Sequence, residues 1–125
     1  MSEKKFEDFQ KRTFNFAVKI IKLILSLPTN NCAIWILGKQ IINSVTSIDS
    51  NIDQAKSGVS RADFINHLKI ARKEAKETKR WLEMLVRVNL ITQEIANPLL
   101  KENDEIISIL VASIKTAQRN QKKNI

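Results

Sequence analysis

Few side chains in this sequence have the type and spacing that catalysis or metal binding requires. The one histidine, His67, follows Asp63 by one helical turn, and the one cysteine is Cys32. Metal sites need several converging ligands, and the di-iron signature of helical bundles needs histidines on two helices. Neither a glycine-rich phosphate loop nor a serine-histidine triad motif is visible. We therefore predict no metal, no cofactor, no catalytic residue and no enzymatic activity.

Positive charge is the most prominent chemical feature, because the net charge is +8. On a helical projection, seven cations of the third predicted helix fall within an arc of about 120°, interrupted only by Glu83. Like charges four residues apart disfavour an isolated helix, so a one-sided arc favours a polyanionic ligand. A solvated face remains the alternative, with carboxylates from Glu74, Glu77 and neighbouring helices. The predicted nucleic-acid-binding residues are Lys69, Arg72, Lys73, Lys76, Lys79, Arg80 and Arg87.

A second apolar strip on the same helix lies roughly 100° from its core-facing seam. A tryptophan beside a methionine is typical of subunit interfaces, although Trp81 could instead cover the bundle flank. Trp35, beside the seam of the second helix, is a comparable candidate with weaker support. The predicted oligomer interface therefore comprises Ile70, Trp81, Met84, Val88 and Trp35.

The elements that position these residues are four long amphipathic helices. Apolar residues recur at alternating steps of three and four in each helix, as in Ile41, Val45, Ile48 and Ile52. Four such helices joined by short turns predict an all-α, antiparallel, up-down-up-down four-helix bundle in a single domain, 1–125. The predicted helices are about 3–27, 31–56, 60–89 and 93–119, with a frayed basic C-terminus at 119–125.

Turn and capping residues set the predicted boundaries. Pro28 ends the first helix, and Thr29, Asn30 or Asn31 caps the second. Gly58 is predicted to take a left-handed, helix-ending conformation, and Ser60 with Asp63 resembles a capping box. The turn before the fourth helix is predicted at 89–92. Pro98 leaves two alternatives, since that helix either begins there with Asn97 as its cap or kinks there. Gly38, on the second seam, predicts a close approach of the backbone of another helix.

Several features favour a cytoplasmic protein. The N-terminus mixes both charge signs, which is unlike a secretory signal. The apolar stretch from Phe14 to Leu27 is interrupted by Lys19 and Lys22, so we interpret it as a core helix and predict no membrane association. A single cysteine excludes an internal disulfide, and Cys32 is predicted to be a small buried apolar residue.

Particular segments resemble a known family. They are QIINSVTSIDSNI at 40–52, FINHLKIA at 64–71 and ETKRWL at 77–82, with Leu99-Leu100 and 109–117 completing the match in the fourth helix. These segments resemble the four helix bundle protein family, also named after open reading frames in intervening sequences of bacterial 23S ribosomal RNA genes. The resemblance covers nearly the whole chain.

This resemblance implies a left-handed bundle that assembles into a ring, typically a homopentamer, without known enzymatic activity. A more distantly similar protein, the accessory variability determinant of diversity-generating retroelements, is a basic pentamer that binds nucleic acid and a reverse transcriptase. Our leading hypothesis is therefore a self-associating bundle that binds DNA, RNA or a nucleic-acid enzyme such as a reverse transcriptase through the basic arc. The alternative is an oligomeric adaptor for a protein partner, with no role in nucleic-acid binding.

Overall fold

The structure is a computed structural model and describes residues 1–123. The chain forms an all-α four-helix bundle, as predicted, with no strand in this described part. The helices are α1 (Glu3–Leu25), α2 (Cys32–Lys56), α3 (Arg61–Arg87) and α4 (Gln93–Lys123).

Side-chain contacts show how the helices run. The Gln10 amide of α1 donates to Asp53 of α2, whereas the Thr13 hydroxyl, further along α1, donates to the earlier residue Asp49. Moving forward along α1 therefore means moving backward along α2. The connections between successive helices are all short, so each helix returns beside the one before it.

Each helix begins at a polar side chain that accepts a hydrogen bond from a backbone amide left free in the first turn. The four capping bonds run from the amide of Lys5 to Ser2 at 3.2 Å, from Ala33 to Asn31 at 2.8 Å, from Asp63 to Ser60 at 3.1 Å and from Ile95 to Thr92 at 3.2 Å. The predicted Ser60 cap of α3 is confirmed, and Asn31 is the one of three candidates that caps α2.

Two turn predictions are corrected by the backbone. Gly58 does not adopt a positive φ, so the predicted left-handed ending of α2 is wrong. The Asp63 carboxylate instead occupies the space beside Gly58, and an added Cβ would lie 2.8 Å from Asp63 Oδ2. The left-handed residue is Asn89, with φ of 63°, in the turn after α3. Asparagine tolerates this conformation better than most residues do.

The start of α4 agrees with the predicted bound of 93, whereas its end differs from the prediction. The helix begins at Gln93, so the alternative in which it starts at Pro98 is wrong, and Pro98 lies inside the helix. Its N-terminal turn is held by Thr92, whose side chain and backbone carbonyl accept from the amides of Ile95 and Ala96. The helix also continues to Lys123, because residues 119–123 have good helix propensity. Of the segment predicted to fray, only 124–125 lie outside the described residues.

The core consists of the predicted seams, and predictions at two residues are corrected. Gly38 is buried, and a Cβ there would lie 2.9 Å from Cγ2 of Ile24, so the close neighbour is a side chain of α1 and not the predicted helix backbone. Cys32 is exposed as the first residue of α2, so the predicted burial of its thiol is wrong. Large side chains that are fully buried include Phe16, Ile20, Ile41, Leu68, Leu82, Leu85, Ile106 and Leu110.

Polar side chains also hold neighbouring helices in register. Buried hydroxyls of Ser44 and Thr78 lie 2.8 Å apart between α2 and α3, and the Asn103 amide of α4 donates to the Ala75 carbonyl of α3. Between α1 and α4, Arg12 donates to both carboxylate oxygens of Glu102. Within residues 1–123, no helix is long and apolar enough to traverse a lipid bilayer.

Candidate nucleic-acid interface

The predicted cations of α3 form an outward-facing surface, which we call the basic face. The seam of α3 is buried against the other helices, from Leu68 through Ala75 to Leu85. Because the cations lie on another side of the helix, burial of this seam turns them toward solvent. Five of them are exposed, and Arg72 and Lys79 are half-buried.

Ion pairing leaves most of this charge unneutralised. Lys79 Nζ lies 3.1 Å from Asp104 Oδ1 of α4, and this is the one salt bridge made by the basic face within residues 1–123. The solvated-face alternative required neighbouring helices to supply carboxylates. α4 supplies one, and the other six cations keep their charge available for an anionic ligand.

Three glutamates border or interrupt the basic face. Glu83 is exposed between cations, and Glu77 is exposed beside them. Burial raises the pKa of the Glu74 carboxyl, the neighbouring Glu77 raises it further, and Lys73 opposes both effects. Glu74 therefore keeps its proton to a higher pH than an exposed glutamate does. Glu77 lies at the edge of the basic face and Glu83 lies within it, and neither forms a salt bridge with its cations in the described residues.

The predicted interface residues do not form one surface. Trp81 is half-buried against the core, whereas Met84 and Val88, within the next two turns, are exposed. Ile70 is half-buried on the same side of α3, about 16 Å before Trp81 along the helix. Trp35 instead lines a cleft with residues from the end of α1. We call the α3 residues Ile70, Trp81, Met84 and Val88 the apolar strip.

His67 is held by polar neighbours at the other end of α3. Its Nδ1 lies 3.1 Å from the Asn51 Oδ1 of α2, and its Nε2 lies 3.7 Å from Asp63 Oδ1. Because the Asn51 amide nitrogen already donates to the Ser47 carbonyl, the Asn51 oxygen accepts from His67. In the described residues, no three histidine, cysteine, aspartate or glutamate side chains form a group that could hold a metal ion.

Comparison with known proteins identifies the family. The family model described as 23S rRNA-intervening sequence protein matches residues 7–112. The chain belongs to the 23S rRNA-intervening sequence protein family. The resemblance predicted from the helix segments is therefore confirmed.

A solved structure resembles this family member along most of its length. It is a protein with unknown function from the S23 ribosomal protein family of Bacteroides thetaiotaomicron, 41% identical in sequence, with a TM-score of 0.82. The match covers 89% of this chain and 98% of that chain. A search of curated proteins found no match. The family and its fold are thus established, and the similar solved protein is itself described as having unknown function.

The structure also shows cations of this 23S rRNA-intervening sequence protein that the sequence analysis missed. Lys115 and Lys122 are exposed on α4, 11 and 18 residues after Asp104. Residues separated by 11 or 18 positions lie on the same side of an α-helix, so both lysines are on the side that carries Asp104. Asp104 contacts Lys79, so this side of α4 borders the basic face. The signal was the seven-residue spacing of the two lysines, which was overlooked because the chain after 119 was predicted to fray.

Proposed function

We propose that this protein binds nucleic acid through the basic face of α3, as a non-enzymatic, self-associating bundle. The observation that carries the proposal is the number of cations on one straight helix that lack a carboxylate partner in the described structure. Lysine and arginine in such an array bind phosphates and release the counterions condensed on them. The ligand is therefore a phosphate backbone, in DNA or RNA.

The composition of the basic face favours binding without base recognition. None of its seven residues is aromatic, and the nearby Trp81 is half-buried against the core. Single-strand-binding proteins stack bases on exposed aromatic rings, which this face lacks. Contacts to phosphates position a nucleic acid without reading its sequence. We expect similar affinities for duplexes of different sequence.

Self-association is the second part of the proposal, and the apolar strip supports it. Met84 and Val88 expose apolar surface beside Trp81, and this strip lies next to the basic face on the same helix. Exposed apolar surface of this kind is typical of contacts between subunits. A homopentamer, the count that the family resemblance implies, would present five basic faces, so weak individual contacts would add on one long polyanion.

A charge-matched pair of variants tests the binding surface. Changing Lys69, Lys73, Lys76 and Arg80 together to glutamine should abolish retardation of a 30-base-pair duplex in a native gel. These residues are exposed, so the circular dichroism spectrum and the oligomer mass should stay unchanged. The control changes Lys4, Lys5, Lys11 and Lys22 of α1 to glutamine, which removes the same charge from another helix. If both variants lose binding equally, net charge and not the basic face accounts for it.

Light scattering tests self-association. We expect a mass several times that of the 14.3 kDa chain, and five times for a pentamer. Replacing Met84 and Val88 with glutamate should reduce that mass while preserving the helices. A wild-type monomer at micromolar concentration would refute this part of the proposal and leave binding by the basic face to be tested separately.

A further inference from the structure

The outer side of α1 carries a second apolar stripe that the bundle core does not use. It comprises Phe14, Val18, Ile21 and Leu25, at steps of four, three and four, about 130° around the helix from the buried seam. Phe14 is 58% exposed and Leu25 is 75% exposed, and the two residues between them are half-buried. This spacing is that of a helix that packs lengthwise against another helix.

The stripe runs into a cleft between the end of α1 and the beginning of α2. The cleft has a volume of about 350 Å³, and Leu25, Trp35 and Ile42 are among its lining residues. Trp35 is 64% exposed at its edge. Gly38 lies in the cleft wall, where a Cβ would be 2.9 Å from Ile24, so any larger residue would press into this space. We call the stripe and this cleft together the α1–α2 groove.

Charge around the cleft end of the groove has one sign. The sequence contains no aspartate or glutamate from residue 9 to residue 48, although this segment forms most of the α1–α2 hairpin. Lys11 and Lys22 are exposed, three residues before Phe14 and Leu25 respectively. Lys39 Nζ lies 5.3 Å from the centre of the Trp35 ring. At the other end of the stripe the charge is mixed, because Phe14 and Lys11 line a separate cleft with Glu7, Asp49 and Asp53. At the cleft end, an occupant therefore meets apolar side chains bordered by Lys22 and Lys39, with no carboxylate among the described residues that line the cleft.

We propose that the α1–α2 groove binds an amphipathic helix with acidic flanks, supplied by a partner protein. The apolar stripe and cleft would take the partner's apolar face, and Lys22 and Lys39 would pair with its carboxylates. This surface is separate from the basic face of α3 and does not depend on the function proposed for it.

Two other occupants fit less well. A second copy that pairs its own cleft end here would set Lys22 and Lys39 against the same two lysines, which is unfavourable. A lipid bilayer is flat on this scale, whereas the groove includes a concave cleft that accepts protruding side chains. An acidic helix satisfies both the shape and the charge.

Trp35 fluorescence provides a direct test. In a Trp81→Phe background Trp35 is the one tryptophan, and its emission should shift to the blue when an apolar face covers it. The probe is a synthetic 21-residue helical peptide with leucine at heptad positions a and d and glutamate at e and g. A second peptide with lysine in place of every glutamate is the charge control. We expect saturable binding of the glutamate peptide and none of the lysine peptide.

Substitutions in the groove should weaken peptide binding without unfolding the protein. Phe14→Ala and Leu25→Ala remove exposed side chains, and each should weaken binding about tenfold if the residue is an interface anchor. Val59→Ala, at a fully exposed apolar residue in the α2–α3 turn, is the matched control and should bind as the parent does. Glutamine at both Lys22 and Lys39 should also weaken binding.

Four outcomes would overturn the proposal. Equal binding of the two peptides would remove the charge argument. Loss of oligomer mass in Leu25→Ala would assign the groove to a second copy. A Trp35 blue shift with phosphatidylserine vesicles but not with the glutamate peptide would assign it to a membrane, and the same shift with duplex DNA alone would assign it to nucleic acid.

Discussion

The basic face of α3 and the α1–α2 groove are both cationic, yet their surroundings differ. The basic face has acidic neighbours such as Glu83 and Asp104 and no aromatic side chain. The groove has an exposed tryptophan and an apolar stripe, and no carboxylate is among the described residues that line its cleft. Positive charge alone therefore does not identify a partner. A long row of separate cations suits a polyanion, whereas cations around an apolar cleft suit a discrete helix.

The two surfaces should also respond differently to salt. Contacts with phosphates release counterions, so binding to the basic face should weaken steeply as salt rises. Burial of apolar side chains in the groove depends little on salt, and only its surrounding ion pairs are screened. A salt titration therefore separates the two proposed activities in one protein.

The largest expected effect distinguishes side chains that hold the fold from those available to a partner. Phe16 is fully buried, whereas Phe14, two residues earlier, is 58% exposed. Phe16→Ala should lower the free energy of unfolding by about 3–5 kcal/mol, because it leaves a cavity. Phe14→Ala should change it by less than about 1 kcal/mol. Urea unfolding checks both, and an equal loss in the two variants would show that Phe14 belongs to the core.

A smaller effect is expected at the contact between α1 and α4. At this contact the charges are paired within the protein, unlike those of the basic face and the groove. Arg12 donates from Nε and Nη2 to Glu102 at 3.0 and 2.7 Å and also pairs with Glu105. Arg12→Gln should lower the free energy of unfolding by about 1–2 kcal/mol at pH 7.

The same contact makes stability depend on pH. The hydrogen bonds from Arg12 hold the pKa of the Glu102 carboxyl below its ordinary value of 4.5. Since this pKa is lowered in the folded state, the stabilisation is complete above 4.5 and is lost as pH falls through the lowered value. Urea unfolding from pH 7 to pH 3 should show a smaller acid loss in Arg12→Gln. An identical pH dependence in both proteins would contradict this assignment.

A still smaller effect, of opposite sign, is expected at the edge of the basic face. Asp104→Asn removes the one carboxylate that pairs with a cation of this face in the described structure. Duplex affinity at low salt should rise about two- to fourfold, because Lys79 is released and local repulsion of phosphate falls. Stability should change little, since exposed ion pairs contribute about 0–1 kcal/mol. A gel-shift titration measures this change, and weaker binding would place the ligand elsewhere.

The features predicted correctly from the sequence were those set by local periodicity and capping. The three-four seams identified the helices, and the Ser60 cap followed from side-chain chemistry near one residue. Predictions failed where tertiary surroundings decide the outcome. The Asp63 carboxylate beside Gly58 and the exposure of Cys32 depend on how helix ends are placed.

The sequence analysis also missed the α1–α2 groove for a physical reason. The stretch from Phe14 to Leu27 contains two interleaved apolar stripes, and hydrophobicity alone does not show that one of them faces outward. That distinction requires knowing where α2 and α4 lie, as the contacts of Gln10 with Asp53 and of Arg12 with Glu102 show. The basic face was found from the sequence because charge and position on one helix suffice to define it.

The salt dependence of duplex affinity tests binding by the basic face most directly. It should be measured for the wild-type protein and for the variant with glutamine at positions 69, 73, 76 and 80. The proposal predicts a linear fall of log affinity with log salt, with a slope of roughly 0.9 for each phosphate neutralised. Loss of four cations should flatten that slope by up to about 3.6. Equal slopes in the two proteins, or no duplex binding by the wild type even at low salt, would contradict it.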